Sequence, residues 1–115
     1  MSPICYNQLM DEQFAIEYYE TDTGDCPYLD WEGELTMELR AQVRKRLNRV
    51  RFGNFGDIDH IEGNIFELRI HAGAGYRIYY ARSGGKVVIL LCAGSKKSQN
   101  RDIKKAKKYW QDLGG

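Results

Sequence analysis

Ile65-Phe66-Glu67-Leu68-Arg69-Ile70, the link His71-Ala72-Gly73-Ala74-Gly75, and Tyr76-Arg77-Ile78-Tyr79-Tyr80-Ala81 together decide the fold of this 115-residue chain. Both flanks alternate with period two, the pattern of strands that turn one face inward, and the glycines between them give the backbone the freedom a tight reversal needs. The stretch predicts a β-hairpin. A register symmetric about Gly73 sends Phe66, Leu68, Ile70, Tyr76, Ile78 and Tyr80 to the core face and leaves Glu67, Arg69, Arg77 and Tyr79 on the other. Arg69 then stands directly opposite Arg77. Like charges facing across a ladder repel, so either an anion such as a phosphate lies between them or each pairs with a carboxylate such as Glu67.

Beyond the hairpin, Ser83-Gly84-Gly85 marks a further turn, and Val87 to Ala93 is a continuous apolar run, as expected of an interior strand covered on both faces. That strand delivers Gly94, Ser95, Lys96, Lys97 and Ser98 to its end. Ser98 is a candidate cap for a last helix in which Ile103, Ala106, Trp110 and Leu113 form the buried face and Arg101, Lys104 and Lys108 the outer one. Upstream of the hairpin, Leu35, Leu39, Val43, Leu47 and Val50 recur at helical spacing, and Gly53, Asn54 and Gly56 end the helix they predict. Opposite this stripe lie Arg44, Lys45, Asn48 and Arg49, while Arg46 falls within the apolar arc and must snorkel or pair. Asp25 and Pro27 read as the cap and first-turn proline of a shorter helix holding Tyr28, Leu29 and Trp31, and Phe14 to Glu20 reads as the first strand.

The order β, α, α, antiparallel strands, α predicts an α+β fold with a mainly antiparallel sheet and helices packed on one face. Residues 1–12 show no periodicity and are expected to form an N-terminal extension, with residues 13–115 a single domain large enough for one core without disulfides.

Charge is partitioned along the chain. The overall formal charge is +1, yet residues 1–39 hold ten Asp and Glu and no Lys or Arg, whereas residues 40–115 hold all seventeen Lys and Arg against six acids. A field that positive favours a polyanionic partner, and the helical face bearing Arg44, Lys45 and Arg49 is assigned to nucleic-acid binding together with Arg101, Lys104 and Lys108. Cys5, Cys26 and Cys92 lack metal-ligand spacing, Cys92 reads as a buried small hydrophobe, and a reducing cytoplasm is expected. No apolar stretch approaches the roughly 20 residues of a membrane span, and the first residues lack the pattern of a secretory signal, so no membrane partner is expected.

Several chemistries find no support. Gly73-Ala74-Gly75 joins two strands with no helix after it, unlike a phosphate-binding nucleotide loop. No Ser or Cys sits in a nucleophile elbow, and the carboxylates are too scattered for a two-metal site, so neither metal nor cofactor is expected. What remains is a cation cluster: Arg69 and Arg77 on the hairpin, His71 in its loop, Lys96 and Lys97 at the end of the next strand. Such groups suit metal-free RNA cleavage, in which a ribose 2′-hydroxyl attacks the adjacent phosphate and charge grows on the non-bridging oxygens. His71 is the nearby group with a reference pKa close to neutrality, and Tyr79 is a second proton-transfer candidate.

Taken in order, FAIEYYET at residues 14–21, RLNRVRFGNFGD at 46–57, ELRIHAGAGYRIYYA at 67–81, VVILLCAGSKKSQNRDI at 87–103 and AKKYW at 106–110 resemble the RelE/ParE toxin superfamily. The likeness runs from about residue 13 to 113 and is strongest to its phage-derived, HigB-like branch of addiction module killer proteins. The resemblance implies a RelE-like fold and the toxin of a type II toxin–antitoxin pair. Its relatives mostly cut mRNA on the ribosome, and the antitoxin is usually a helix-turn-helix protein, so that DNA is met only through the antitoxin. By position Arg77 corresponds to the arginine of the family hairpin, Arg69 to the basic strand residue before it, and Lys96 to the lysine of a glycine-glycine-aspartate-lysine turn in which Ser95 here replaces the aspartate.

Three functions follow as expectations. An mRNA endonuclease would use Arg69, Arg77, Lys96 and Lys97 on the scissile phosphate and His71 as acid or base. A ParE-like inhibitor of DNA gyrase would use the same fold with no proton-transfer residue. A passive RNA-binding module is the third, although such modules usually display stacking aromatics, and the aromatics here read as core.

Overall fold

A computed structural model describes residues 12–115 of the chain, and the extension expected over residues 1–12 falls, but for Glu12, outside the described residues. The elements are β1 (Ala15–Tyr18), α1 (Pro27–Gly33), α2 (Met37–Arg51), β2 (Ile58–Glu62), β3 (Ile65–Ile70), β4 (Tyr76–Ser83), β5 (Val87–Ser95), a 3-10 turn (Lys96–Ser98) and α3 (Gln99–Asp112). The five strands form one sheet in the order β1-β5-β4-β3-β2, with β1 parallel to β5 and the other pairs antiparallel.

The hairpin takes the expected register. Ile70 pairs with Tyr76, Arg69 with Arg77 and Ile65 with Ala81, symmetric about Gly73. Leu68, Ile70, Ile78 and Tyr80 join Val88 and Leu90 of β5 in one buried cluster, which α2 covers with Val43, Leu47 and Val50 and α1 with Tyr28. Full burial of each such side chain contributes roughly 1.5–3 kcal/mol, so this face of the sheet is the main adhesive of the fold.

The opposite face is also covered, which corrects the expectation of helices on one face only. Ile65, Tyr79, Ala81, Leu91 and Cys92 form a second buried cluster, closed by Ala106, Ile103, Tyr109 and Trp110 of α3. Helices therefore sandwich the sheet. The hairpin's outer row carries Glu67, Arg69 and Arg77, yet Glu67 and Tyr79 within it are wholly buried. Burial in this cluster pushes the Cys92 thiol up to about 12, consistent with its reading as a small hydrophobe.

Smaller corrections have local causes. Leu113, expected on the buried face of the last helix, is 47% exposed because α3 ends at Asp112. Cys26, not Asp25, occupies the cap position of α1, with Pro27 in its first turn; Asp25 instead accepts from the Thr23 hydroxyl at 2.9 Å in the preceding loop. Ser98 does occupy the cap position of α3, but its hydroxyl is turned to Asp102 and makes no capping bond. Thr36 caps α2 by accepting from the Leu39 amide at 3.2 Å, so that helix begins at Met37, two residues after Leu35. Strand β2 carries only Ile58 and Ile61 as apolar residues and was not among the expected elements.

Candidate functional site: a cationic cleft at the hairpin tip

Strands β3 and β4 project Arg69 and Arg77 from the same face, the glycine loop carries His71 beyond them, and β5 ends beside that loop, where the Lys96 amide bonds the Gly75 carbonyl at 3.2 Å. These four residues and Tyr76 line one cleft of about 370 Å3. Lys97 is exposed on the 3-10 turn and does not line it. A second cleft of about 300 Å3 brings Gln42, Lys45, Arg46 and Arg49 of α2 against Asp57 and meets the first along Arg69, Ile70 and His71.

The two arginines differ in how far they are neutralised. Arg69 Nη1 donates to Asp57 Oδ1 at 3.0 Å, its Nη2 donates to Asp59, and its Nε lies 3.4 Å from Glu67 Oε2. Three carboxylates thus surround it. Arg77 has only Glu67, at 3.4 Å from Nε to Oε1, and its Nε and Nη1 are buried without a hydrogen-bond partner among the described residues. Its partner in the β4–β5 ladder is Gly94, over which the Asp102 and Ser98 side chains close. The like-charge pair is therefore buffered by carboxylates within the protein.

Asp57 and His71 form a contact that sequence reasoning missed. His71 Nε2 lies 2.6 Å from Asp57 Oδ2, and the His71 hydrogen bond, followed by that of Arg69, holds the Asp57 carboxyl below the usual carboxylate range. The pair arises because β2 places Asp57 beside β3, where the Arg69 amide also bonds the Asp57 carbonyl at 3.0 Å. Tyr79 does not reach the cleft: it is wholly buried, its pKa is raised by burial and then by the Glu67 charge, and its hydroxyl closes no hydrogen bond.

Below Lys96, the Asp102 carboxylate is buried and accepts from the Ser98 hydroxyl at 2.5 Å. A Cβ at Gly94 would collide with Asp102 Oδ2 and lie 2.6 Å from Ser98 Oγ, so the end of β5 is pinned to the start of α3 by a contact only glycine permits. Among the surface cations, Lys45 and Arg49 border the second cleft, whereas Arg44 is turned away. Arg44 binds the buried Glu32 through Nε and Nη2, at 3.1 and 2.8 Å, in a different cleft of about 500 Å3 shared with Tyr18 and Leu29. Arg101, Lys104 and Lys108 line none of these three clefts.

Among the described residues no group of three or more His, Cys, Asp or Glu is placed to hold a metal ion, and no helix is long and apolar enough to cross a membrane.

A small α+β domain whose hairpin and strand end gather cations into one cleft is the class of protein these features define. The chain belongs to the phage-derived Gp49-like protein family (DUF891), whose profile matches residues 30–111, and that family lies within the RelE/HigB-like toxin superfamily. An uncharacterized protein of Haemophilus influenzae is similar to it, 47% identical over 85 residues that cover 73% of this chain and 86% of that protein. Membership relates the chain to the toxins of toxin–antitoxin pairs, and with them to an antitoxin partner.

Proposed function

We propose that this protein is a ribosome-dependent mRNA endonuclease, the toxin of a type II pair of the HigB-like branch, held inactive by a helix-turn-helix antitoxin. The observation that carries the reading is the convergence of His71, Arg77 and Lys96 in one cleft, with Asp57 behind the histidine. The scissile phosphate lies against Arg77 and Lys96, whose charges grow in value as the phosphorane oxygens become more negative. With its Nε2–H donating to Asp57, His71 keeps Nδ1 free to take the 2′-hydroxyl proton. The 2′-oxygen bonds to phosphorus as His71 takes its proton, the bond from phosphorus to the 5′-oxygen breaks, that oxygen takes a proton from water, and the products are a 2′,3′-cyclic phosphate and a 5′-hydroxyl.

Arg69 completes the cluster as the group that fixes Asp57, and Lys97 contacts the strand just outside the cleft. Lys45 and Arg49 track the neighbouring nucleotides along the second cleft, Arg44, held by Glu32 in another cleft, lies off that track, and Arg101, Lys104 and Lys108 face ribosomal RNA. Arg77 is the residue on which the chemistry depends most, because its charge is the least compensated of the two arginines.

Primer extension on a reporter mRNA in a translating extract tests the reading, with wild type beside Arg77→Ala and ribosomes present or omitted. Discrete cuts that need ribosomes and vanish in the variant are expected. Intact mRNA with a folded, antitoxin-free protein overturns it and brings inhibition of DNA gyrase forward.

A further inference from the structure

Glu67 has no exposed surface, although alternation in β3 asks nothing ionisable of that position. Its Oε1 accepts from Gln99 Nε2 at 3.0 Å and lies 3.4 Å from Arg77 Nε, while its Oε2 faces Arg69 Nε at the same distance. A buried ion pair is a poor device for stability, since an apolar pair of similar volume usually serves as well or better. A carboxylate kept at such a place is better explained by what it orients. Here it meets the Nε edge of both guanidinium groups from beneath, and Gln99, in the first turn of α3, fixes which way it points.

We propose that Glu67, oriented by Gln99, is the positioning residue that sets the pose of Arg77, and that Arg69 belongs to the same frame. With Nε drawn inward and Nη1 buried, the Arg77 guanidinium is held in the wall of the cleft that His71 and Lys96 also line. Arg69, already met by Asp57, Asp59 and Glu67, has no edge to spare for substrate and instead ties the frame to the Asp57–His71 pair. Gln99 follows directly on the turn that carries Lys96, so one short segment of chain governs both cations that reach the phosphate. The value of this frame rests on the endonuclease reading, but its existence does not.

The test uses the full chain with Gln99→Leu, which leaves the charges unchanged, and Glu67→Gln. The Arg77 Nε–Hε cross-peak in a nitrogen-labelled sample reports the pose, and single-turnover cleavage on ribosomes is read beside mRNA affinity. In folded variants the cross-peak broadens or shifts from its wild-type position, and the cleavage rate falls by ~10- to 100-fold while affinity stays within about twofold. A wild-type cross-peak in folded Gln99→Leu and Glu67→Gln overturns the proposal, as does affinity that falls in step with rate. Should Glu67→Gln fail to fold, Gln99→Leu decides alone. Wild-type protein that cuts nothing, while its Arg77 signal still depends on Gln99, refutes the endonuclease reading and leaves the frame standing.

Discussion

Arg69 and Arg77 face each other across the β3–β4 ladder, and the buried Glu67 carboxylate lies 3.4 Å from the Nε of each. Identical in type and adjacent in space, they are unequal in charge balance, because Asp57 and Asp59 engage Arg69 alone. Replacing either should therefore fail in a different way.

Arg77→Ala is expected to lower ribosome-dependent cleavage by ~100- to 1,000-fold, the range for losing one preorganised donor to a developing oxyanion. Arg77→Lys should recover little, since a point charge does not reproduce a fork held by its Nε edge. Single-turnover rates of the two variants side by side check this; a lysine variant within threefold of wild type would contradict it.

Asp57 offers a pH signature. Its folded-state pKa is depressed, first by the His71 hydrogen bond and then by Arg69, so its contribution to stability is present above the ordinary carboxylate range near about 4 and is lost as pH falls through the lower folded value. In His71→Ala the Asp57 carboxyl carbon should titrate closer to the ordinary range. An unmoved titration curve would show that the contact does not persist in solution.

Gly94→Ala is expected to cost about 1–3 kcal/mol, since the added methyl meets the Asp102 and Ser98 side chains that pin β5 to α3. Chemical denaturation measures the loss. Glu32→Gln gives a useful contrast: it weakens the links to Arg44 and to the Tyr28 hydroxyl, 2.8 Å away, and should cost ~1–2 kcal/mol because Arg44 is largely exposed. Its cleavage rate should match wild type, since Glu32 lies in another cleft.

Salt dependence separates the two basic helices. Replacing Lys45 and Arg49 together by Ala should reduce the slope of log affinity against log salt for a single-stranded RNA by ~1.4, at ~0.7 per lost phosphate contact. Replacing Arg101, Lys104 and Lys108 should change that slope by less than one contact. The reverse order would move the RNA track to α3.

The hairpin was legible down to its register because period-two alternation and a glycine link determine one another locally. The stripe from Val43 to Val50 was legible for the same reason, being a property of a single helix. The second core was not. Glu67, Arg69 and Arg77 put charge among the apolar residues of the hairpin's outer row, and only the unbroken run in β5 indicated cover on both faces. The Asp57–His71 contact joins residues 14 apart through β2, a strand with too few apolar residues to show a period. The fate of the arginine pair likewise turned on Asp57, just before β2, and Asp59 within it, so spacing within the hairpin left two outcomes open.

Among the described residues strand β1 pairs in the sheet with β5 alone, Ala15 facing Val87 and Tyr18 facing Leu90. A nascent chain therefore releases an edge strand at its start that finds no place until more than seventy residues have followed. Lys96, which completes the cleft, emerges later still. The cleft therefore closes late in synthesis, and on the endonuclease reading proposed above a chain shorter than this lacks a finished site with which to attack its own message.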